Sequence, residues 1–327
     1  MITDTRKRLL EYIAQKQEVT VNELVSNFGF TQAAIHRQLN KLLESREVVK
    51  LGTPPRVLYR INSTKNDILS VGNEIADKAM DVINDHFIYI SPLGKIFRGF
   101  EGLIKWCTKF DLKVEKTAGE YIKTLDKYGI FKNSAGLIDG TEKLRNTFPE
   151  LYLSKVFYLD FYSIERFGKT KLGALVLYAK QSQNRMFMKE VAELSQDRIK
   201  NVISDQKIDA VCFIPHTLPR KVQFMNEVEK YLNLNLPKIK LIKVINDIPV
   251  AQKTLNKLSD RVENASNTIF LKDSGKYDSV LLIDDAIGSG ATMNESAKKL
   301  KEKGIAQEVI GLALTGSYKG FEVLNEV

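Results

Sequence analysis

Positions 280–293 read VLLIDDAIGSGATM. Four apolar residues, Val280 to Ile283, lead into two adjacent carboxylates, Asp284 and Asp285, and a loop of small residues follows. Neighbouring like charges repel, and burying either is costly unless it is paired or solvated. Two carboxylates at the end of an apolar run therefore mark a place where they are used. Gly288 and Gly290 let the backbone curl its amides towards one point, Ser289 and Thr292 add hydroxyls, and Ala291 keeps the loop small. The helical pattern that follows puts a helix N-terminus there, which favours an anion. This spacing predicts a phosphate in the loop and sugar hydroxyls on the aspartates, the two ends of a ribose 5-phosphate.

Such a site needs a strand to deliver the aspartates and a scaffold around it. From residue 151 onward, KVFYLDFYSI, LGALVLYAK, IDAVCFIP, KIKLIKVI, YDSVLLIDD and EVIGLALTG read as strands. MFMKEVAELSQDRIKNVI, RKVQFMNEVEKYLNL and NESAKKLKEKGI read as helices. Alternating strands and helices predict a parallel α/β sheet with right-handed crossovers. Ligands in such sheets bind at the carboxyl ends of the strands, where Asp284 and Asp285 fall.

The first 62 residues follow a different pattern. DTRKRLLEYIAQK and VTVNELVSNF carry apolar residues at helical spacing, and Gly29 supplies a turn. Thr31 is a good N-cap for a third helix, with Ile35, Leu39 and Leu42 on one face and Gln32, Ala33, His36, Arg37 and Asn40 on the other. VVKLGTPPRVLYRI then predicts two short strands around a Gly-Thr-Pro-Pro turn. Ten Lys and Arg stand against six Asp and Glu in this segment. Residues 63–150 predict a mainly helical middle region whose sequence names no chemistry. Its first helix, in TKNDILSVGNEIADKAMDVINDHF, would form a dimer seam or pack on its own domain.

The whole chain has 327 residues, 49 Lys and Arg against 40 Asp and Glu, and a net charge of +9. That excess fits a polyanionic partner. Two cysteines exclude a disulfide framework and a four-ligand zinc site. His36, His86 and His216 are too scattered to be metal ligands together. Neither a signal peptide nor a membrane-spanning apolar run is present, which predicts a cytoplasmic protein with no membrane partner.

The N-terminal order of elements resembles the winged helix-turn-helix family. The resemblance implies a third helix whose polar face, His36 included, lies in the major groove with Gln32 and Arg37 placed to read base edges, and a wing whose Arg56 reaches phosphate or the minor groove. Residues 280–293 resemble the phosphoribosyl pyrophosphate (PRPP) motif of type I phosphoribosyltransferases. Within that superfamily the chain is most similar to the ComF-like branch, through Gln252, Leu255, Arg261, Asn264 and Phe270 and through IDAVCFIPHTLPRK. The implied organisation is a winged helix-turn-helix over 1–62, the middle region over 63–150, and a phosphoribosyltransferase domain over 151–327.

The resemblance further implies catalytic roles at the ribose for Asp284 and Asp285, with Mg²⁺ held nearby through water. It places the 5-phosphate on Gly288, Ser289, Gly290, Ala291 and Thr292. It places the pyrophosphate beside His216, Arg220, Lys221 and Arg261. This chain departs from the family it resembles at Gly288, where many members carry Thr or an acidic residue, which in some works as a base at the nucleobase. Ala286 replaces a larger aliphatic residue, and the zinc-ribbon cysteines that often precede ComF-like domains are missing. The phosphate cradle, being mainly backbone, survives these changes. Two functions follow. One is a DNA-binding transcription regulator, expected as a homodimer, whose second domain senses PRPP or a nucleotide, an architecture similar to that of purine repressors. The other is an active PRPP-dependent transferase, as a nucleic-acid-associated effector of a defence or toxin system in one variant. A winged helix that only joins proteins is the remaining reading.

Overall fold

In the computed structural model, residues 2–45, 47–53, 56–61 and 77–319 are described. Helices α1 (Ile2–Lys16), α2 (Val21–Phe28) and α3 (Gln32–Glu44) come first, then strands β1 (Val48–Thr53) and β2 (Arg56–Ile61). Local sequence sets each boundary. Thr20 and Glu23 form a reciprocal capping box at the start of α2, and Gly29 ends that helix with φ +66°. The Thr31 hydroxyl accepts a hydrogen bond from the Ala34 amide and starts α3. Leu9, Ile13, Leu24, Ile35, Leu39 and Leu42 are wholly buried in a core that Val19, Val48 and Tyr59 complete. Strands β1 and β2 pair antiparallel from Val48–Ile61 to Thr53–Arg56. The Pro54-Pro55 tip and the side chain of Arg56 lie outside the described residues, as does the segment 62–76, which holds the start of the helix expected there.

Helix α4 (Asp77–His86), strands β3 (Ile88–Ile90) and β4 (Ile96–Arg98), and helices α5 (Gly99–Phe110) and α6 (Val114–Gly129) follow. The chain divides into two compact units, Met1–Asp85 with Tyr89–Ala118, and His86–Ile88 with Gly119–Val327. The expected middle region is therefore shared between the units, and the boundary expected at 150 lies inside the second.

The second unit is built on a six-stranded sheet. Its elements are β5 (Ile138–Asp139), α7 (Thr141–Arg145), β6 (Lys155–Phe161), the hairpin β7 (Ser163–Ile164) and β8 (Gly168–Lys169), α8 (Lys171–Ser182) and α9 (Arg185–Asp205). Then come β9 (Ala210–Phe213), α10 (Phe224–Leu232), β10 (Lys238–Ile239), β11 (Leu241–Lys243), α11 (Leu258–Thr268), β12 (Ile269–Leu271), β13 (Tyr277–Ile287), α12 (Ala291–Glu302) and β14 (Ala306–Gly316). The strand order is β10-β9-β13-β14-β6-β5. The first five are parallel and β5 is antiparallel to β6, so the sheet is mixed rather than wholly parallel. Central position explains the apolar run: Val280, Leu281, Leu282 and Ile283 are each 0% exposed, covered on both faces. Burial of this kind contributes about 1.5–3 kcal/mol per side chain.

Two sequence expectations need correction. LGALVLYAK is not a strand but most of α8. Leu172, Gly173, Ala174, Leu175, Val176 and Ala179 are all buried, which hides the helical period, while Thr170 caps the helix by accepting from the Gly173 amide. KIKLIKVI is not one strand but two short ones. Lys238–Ile239 joins the main sheet beside β9, and Leu241–Lys243 turns away to pair antiparallel with β12.

Candidate functional site

Strand β13 runs through the aspartates instead of stopping before them. On one side its pairing with β14 continues to Ile287–Gly316. On the other, its ladder with β9 ends at Ile283–Phe213, and the Ile214 amide donates the last bond to the Ile283 carbonyl at 2.9 Å. One edge of β13 thus opens at Asp284. A cavity of about 1180 Å³ lies there. Its walls are the residues just past the carboxyl ends of four parallel strands: Tyr162 after β6, His216 after β9, the run from Asp284 to Met293 at the end of β13, and Tyr318 after β14.

Alternation along a strand sends the two carboxylates to opposite faces, and their partners differ accordingly. Asp285 Oδ2 accepts from the ammonium of Lys180, in the last turn of α8. Asp284 Oδ1 accepts from the Asp285 amide at 2.7 Å, and the positive field of Lys243 on β11 reaches it. Burial, then the charge of Asp285, pushes the Asp284 carboxyl up to about 7, against the opposing pull of Lys180 and Lys243. Burial alone would lower Lys180, but Asp285 and Asp284 outweigh it and hold the ammonium above its ordinary value. Burial pulls His216 down.

The loop from Gly288 to Thr292 forms the next wall. Gly290 is the N-cap of α12 with φ +85°, and a Cβ there would sit 2.8 Å from Leu144 Cδ2. Only glycine fits that turn without strain. Gly288 has no neighbouring atom within 4 Å of where its Cβ would be, so its lack of a side chain is not a packing requirement. The Ser289 hydroxyl accepts weakly from the Ala291 amide at 3.4 Å. The first-turn amides of α12, including those of Thr292 and Met293, have no partners within the helix. They and the helix field favour a negative group at this wall.

Of the pyrophosphate-side residues expected from sequence, His216, Arg220 and Arg261 line the cavity, whereas Lys221 is exposed and is not among its lining residues. Arg220 donates to the carbonyl of Lys180. The residues matched upstream form a bonding network: Gln252 Nε2 donates to the Arg261 carbonyl at 3.0 Å and to Asn264 Oδ1 at 3.2 Å, while Arg261 Nε donates to the Leu255 carbonyl at 2.8 Å. Gln252, Leu255 and Asn264 therefore shape the segment that presents Arg261. Phe270 lies on β12, 43% exposed, with the Lys299 ammonium 5.1 Å from its ring centroid.

Sequence reasoning missed Lys180, whose run was read as a strand. It also missed Tyr162, Tyr128 and Tyr318, which line the cavity too. Tyr128 and Tyr318 pack at 4.7 Å between ring centroids. No local signal announced these rings, because the carboxyl ends of β6 and β14 carry Tyr162 and Tyr318 while Tyr128 comes from helix α6. Among the described residues no group of three His, Cys, Asp or Glu side chains gathers as a metal cluster. In the first unit, Gln32, Ala33, His36, Arg37 and Asn40 form an exposed face of α3 opposite the buried Ile35, Leu39 and Leu42.

The family model described as the bacterial regulatory protein arsR family matches residues 3–48. These residues form a helix-turn-helix domain of the arsR type. A comparison with curated proteins gave no match. Among solved structures, a hypoxanthine phosphoribosyltransferase from Staphylococcus aureus is similar at 12% identity and a TM-score of 0.24, over 41% of this chain and 74% of that one. A likeness that loose leaves the second unit's architecture to rest on its own strand order. No helix among the described residues is long and apolar enough to cross a membrane.

Proposed function

We propose that the chain is a DNA-binding regulator whose second unit binds PRPP or a phosphoribosyl nucleotide, and whose DNA affinity responds to that ligand. The observation that carries this reading is the joining of the Asp284–Asp285 pair and the Gly288–Thr292 loop in one cavity with His216, Arg220 and Arg261. The loop and the N-terminus of α12 suit a 5-phosphate. The carboxylates suit the ribose hydroxyls, and the cationic wall suits a diphosphate. A regulatory effect requires the ligand to favour one state of the chain over another. The arsR-type domain, with the exposed polar face of α3, supports DNA as the partner.

The donor set does not form a protein-held metal site: Lys180 already engages Asp285, and no third ligand gathers among the described residues. Mg²⁺, expected with PRPP, belongs to this reading only as an ion carried by the diphosphate's own oxygens and water.

A second reading, transfer of the phosphoribosyl group to an acceptor, is favoured by one observation. The same cavity is lined by Tyr162, Tyr128 and Tyr318 as well as by the aspartates, and aromatic walls of this kind suit a second, aromatic reactant. Calorimetric titration with PRPP and Mg²⁺, followed by nucleotide analysis after adding free bases, separates the two. Binding without turnover is the expected result for a regulator, and release of pyrophosphate with a new nucleotide makes the chain a transferase. Asp285→Ala is expected to abolish PRPP binding while the thermal transition persists. Unchanged affinity removes the aspartates from the ribose.

A further inference from the structure

The cation nearest the aspartate pair is none of the loop or upstream residues. It is Lys180, whose ammonium donates to Asp285 with the two side chains 35% and 17% exposed. This pair is more shielded than a surface ion pair, so salt screens it less. Lys180 lines the cavity, and so does Arg220, whose guanidinium is anchored on the Lys180 carbonyl. Two cations thus stand side by side on the cavity wall with different freedom. Arg220 is tied to the main chain. Lys180 carries its charge on a flexible four-carbon stem and can change oxygen acceptors without moving the backbone. Lys243, towards the other carboxylate, is held by Asn264 Oδ1 at 3.2 Å. The charge on Asp285 is therefore already balanced by the protein itself.

We propose that Lys180 is a built-in counter-ion of this site: it holds Asp285 before the ligand enters, and then passes its hydrogen bonds to the ligand's diphosphate, so that binding does not require a divalent cation. The proposal rests on reading the cavity as a phosphoribosyl site. The exchange keeps the number of charge-assisted hydrogen bonds. Lys180 leaves one anionic oxygen for another beside it, and the carboxylate it releases is free to accept from a ribose hydroxyl. Arg220, on the carbonyl of the same residue, marks the diphosphate side of the exchange.

The test is titration of the full chain with PRPP, once in EDTA and once in Mg²⁺, and with ribose 5-phosphate in the same two buffers. The wild-type affinities for PRPP are expected to agree within about threefold between buffers, a free-energy difference below about 0.7 kcal/mol. Lys180→Gln is expected to weaken PRPP binding in EDTA by roughly thirtyfold, with Mg²⁺ restoring part of the loss. Ribose 5-phosphate, which has no diphosphate, is expected to lose much less. Lys180→Arg, which keeps the charge, is expected to stay near wild type. Wild-type binding that needs Mg²⁺ overturns the proposal, as does Lys180→Gln binding PRPP in EDTA as well as wild type does. If Lys180→Gln fails to fold, the wild-type comparison between buffers still decides whether the divalent ion is required. Failure of the wild type to bind either compound in either buffer overturns the phosphoribosyl reading itself, and the role of Lys180 with it. Binding of PRPP in Mg²⁺ alone overturns only the role of Lys180.

Discussion

At the scale of single residues, Asp284 carries the clearest electrostatic strain. Burial and the neighbouring Asp285 raise its carboxyl to about 7, while Lys180 and Lys243 pull it back. A carboxyl raised in the folded state keeps its proton over a range in which the unfolded chain releases it. Its contribution to stability is therefore fully present only below the ordinary value of 3.8, and it is lost progressively as pH rises from there through about 7. Asn in its place has the same shape and no charge to bury. Asp284→Asn is expected to melt roughly 2–6 °C above wild type at pH 8, with the difference narrowing at pH 5 and vanishing below about pH 4. Thermal melts of the ligand-free chain across that range check this, and a difference that grows towards pH 5 has the wrong sign. The aspartates were legible in the sequence because two carboxylates after an apolar run are conspicuous. Lys180 was not, because nothing in an apolar run ending in lysine says which strand will lie beside it.

At the scale of elements, legibility followed periodicity. Helices α9, α10 and α12, and strands β6, β9, β13 and β14, each show one clear pattern in the sequence. Helix α8 does not, being buried around most of its circumference, and its one readable sign was Thr170 three residues before Gly173. Strand β5 has two residues, too few to show alternation. Thr170 also explains how the site is held. Its buried hydroxyl accepts from the Gly173 amide at 3.1 Å and donates to the Phe161 carbonyl at 2.7 Å, fixing the start of α8 to the end of β6. Lys180 stands in the last turn of the same helix. Thr170→Ala is expected to cost about 1–2 kcal/mol in urea unfolding, through the lost cap and the unsatisfied carbonyl. It is also expected to weaken PRPP binding, since α8 no longer fixes Lys180. Loss of stability with unchanged affinity would separate the cap from the site.

At the scale of the whole molecule, the two units carry different chemistries, and the proposed function depends on their being linked. The first presents an arsR-type helix-turn-helix with Gln32, His36 and Arg37 on an exposed face. The second presents a cavity lined by the aspartate pair, the Gly288–Thr292 loop, His216, Arg220 and Arg261. If the first binds DNA through phosphates, log affinity falls linearly with log salt, with a slope of about −0.9 for each phosphate neutralised. Arg37→Ala is expected to weaken binding and, if Arg37 reads a base, to relax discrimination between sites by about 1–3 kcal/mol. If it touches only phosphate, the loss is uniform across sequences and the salt slope becomes shallower by about 1. Titrating duplex DNA with and without saturating PRPP then measures the coupling. A ligand that shifts DNA affinity by about 5–150-fold lies within the usual range of allosteric coupling. By reciprocity, DNA must change PRPP affinity by the same factor, so a titration of PRPP into the preformed complex is an internal check. A salt-dependent DNA affinity that PRPP leaves unchanged would keep the helix-turn-helix as a DNA-binding domain and remove the regulatory link.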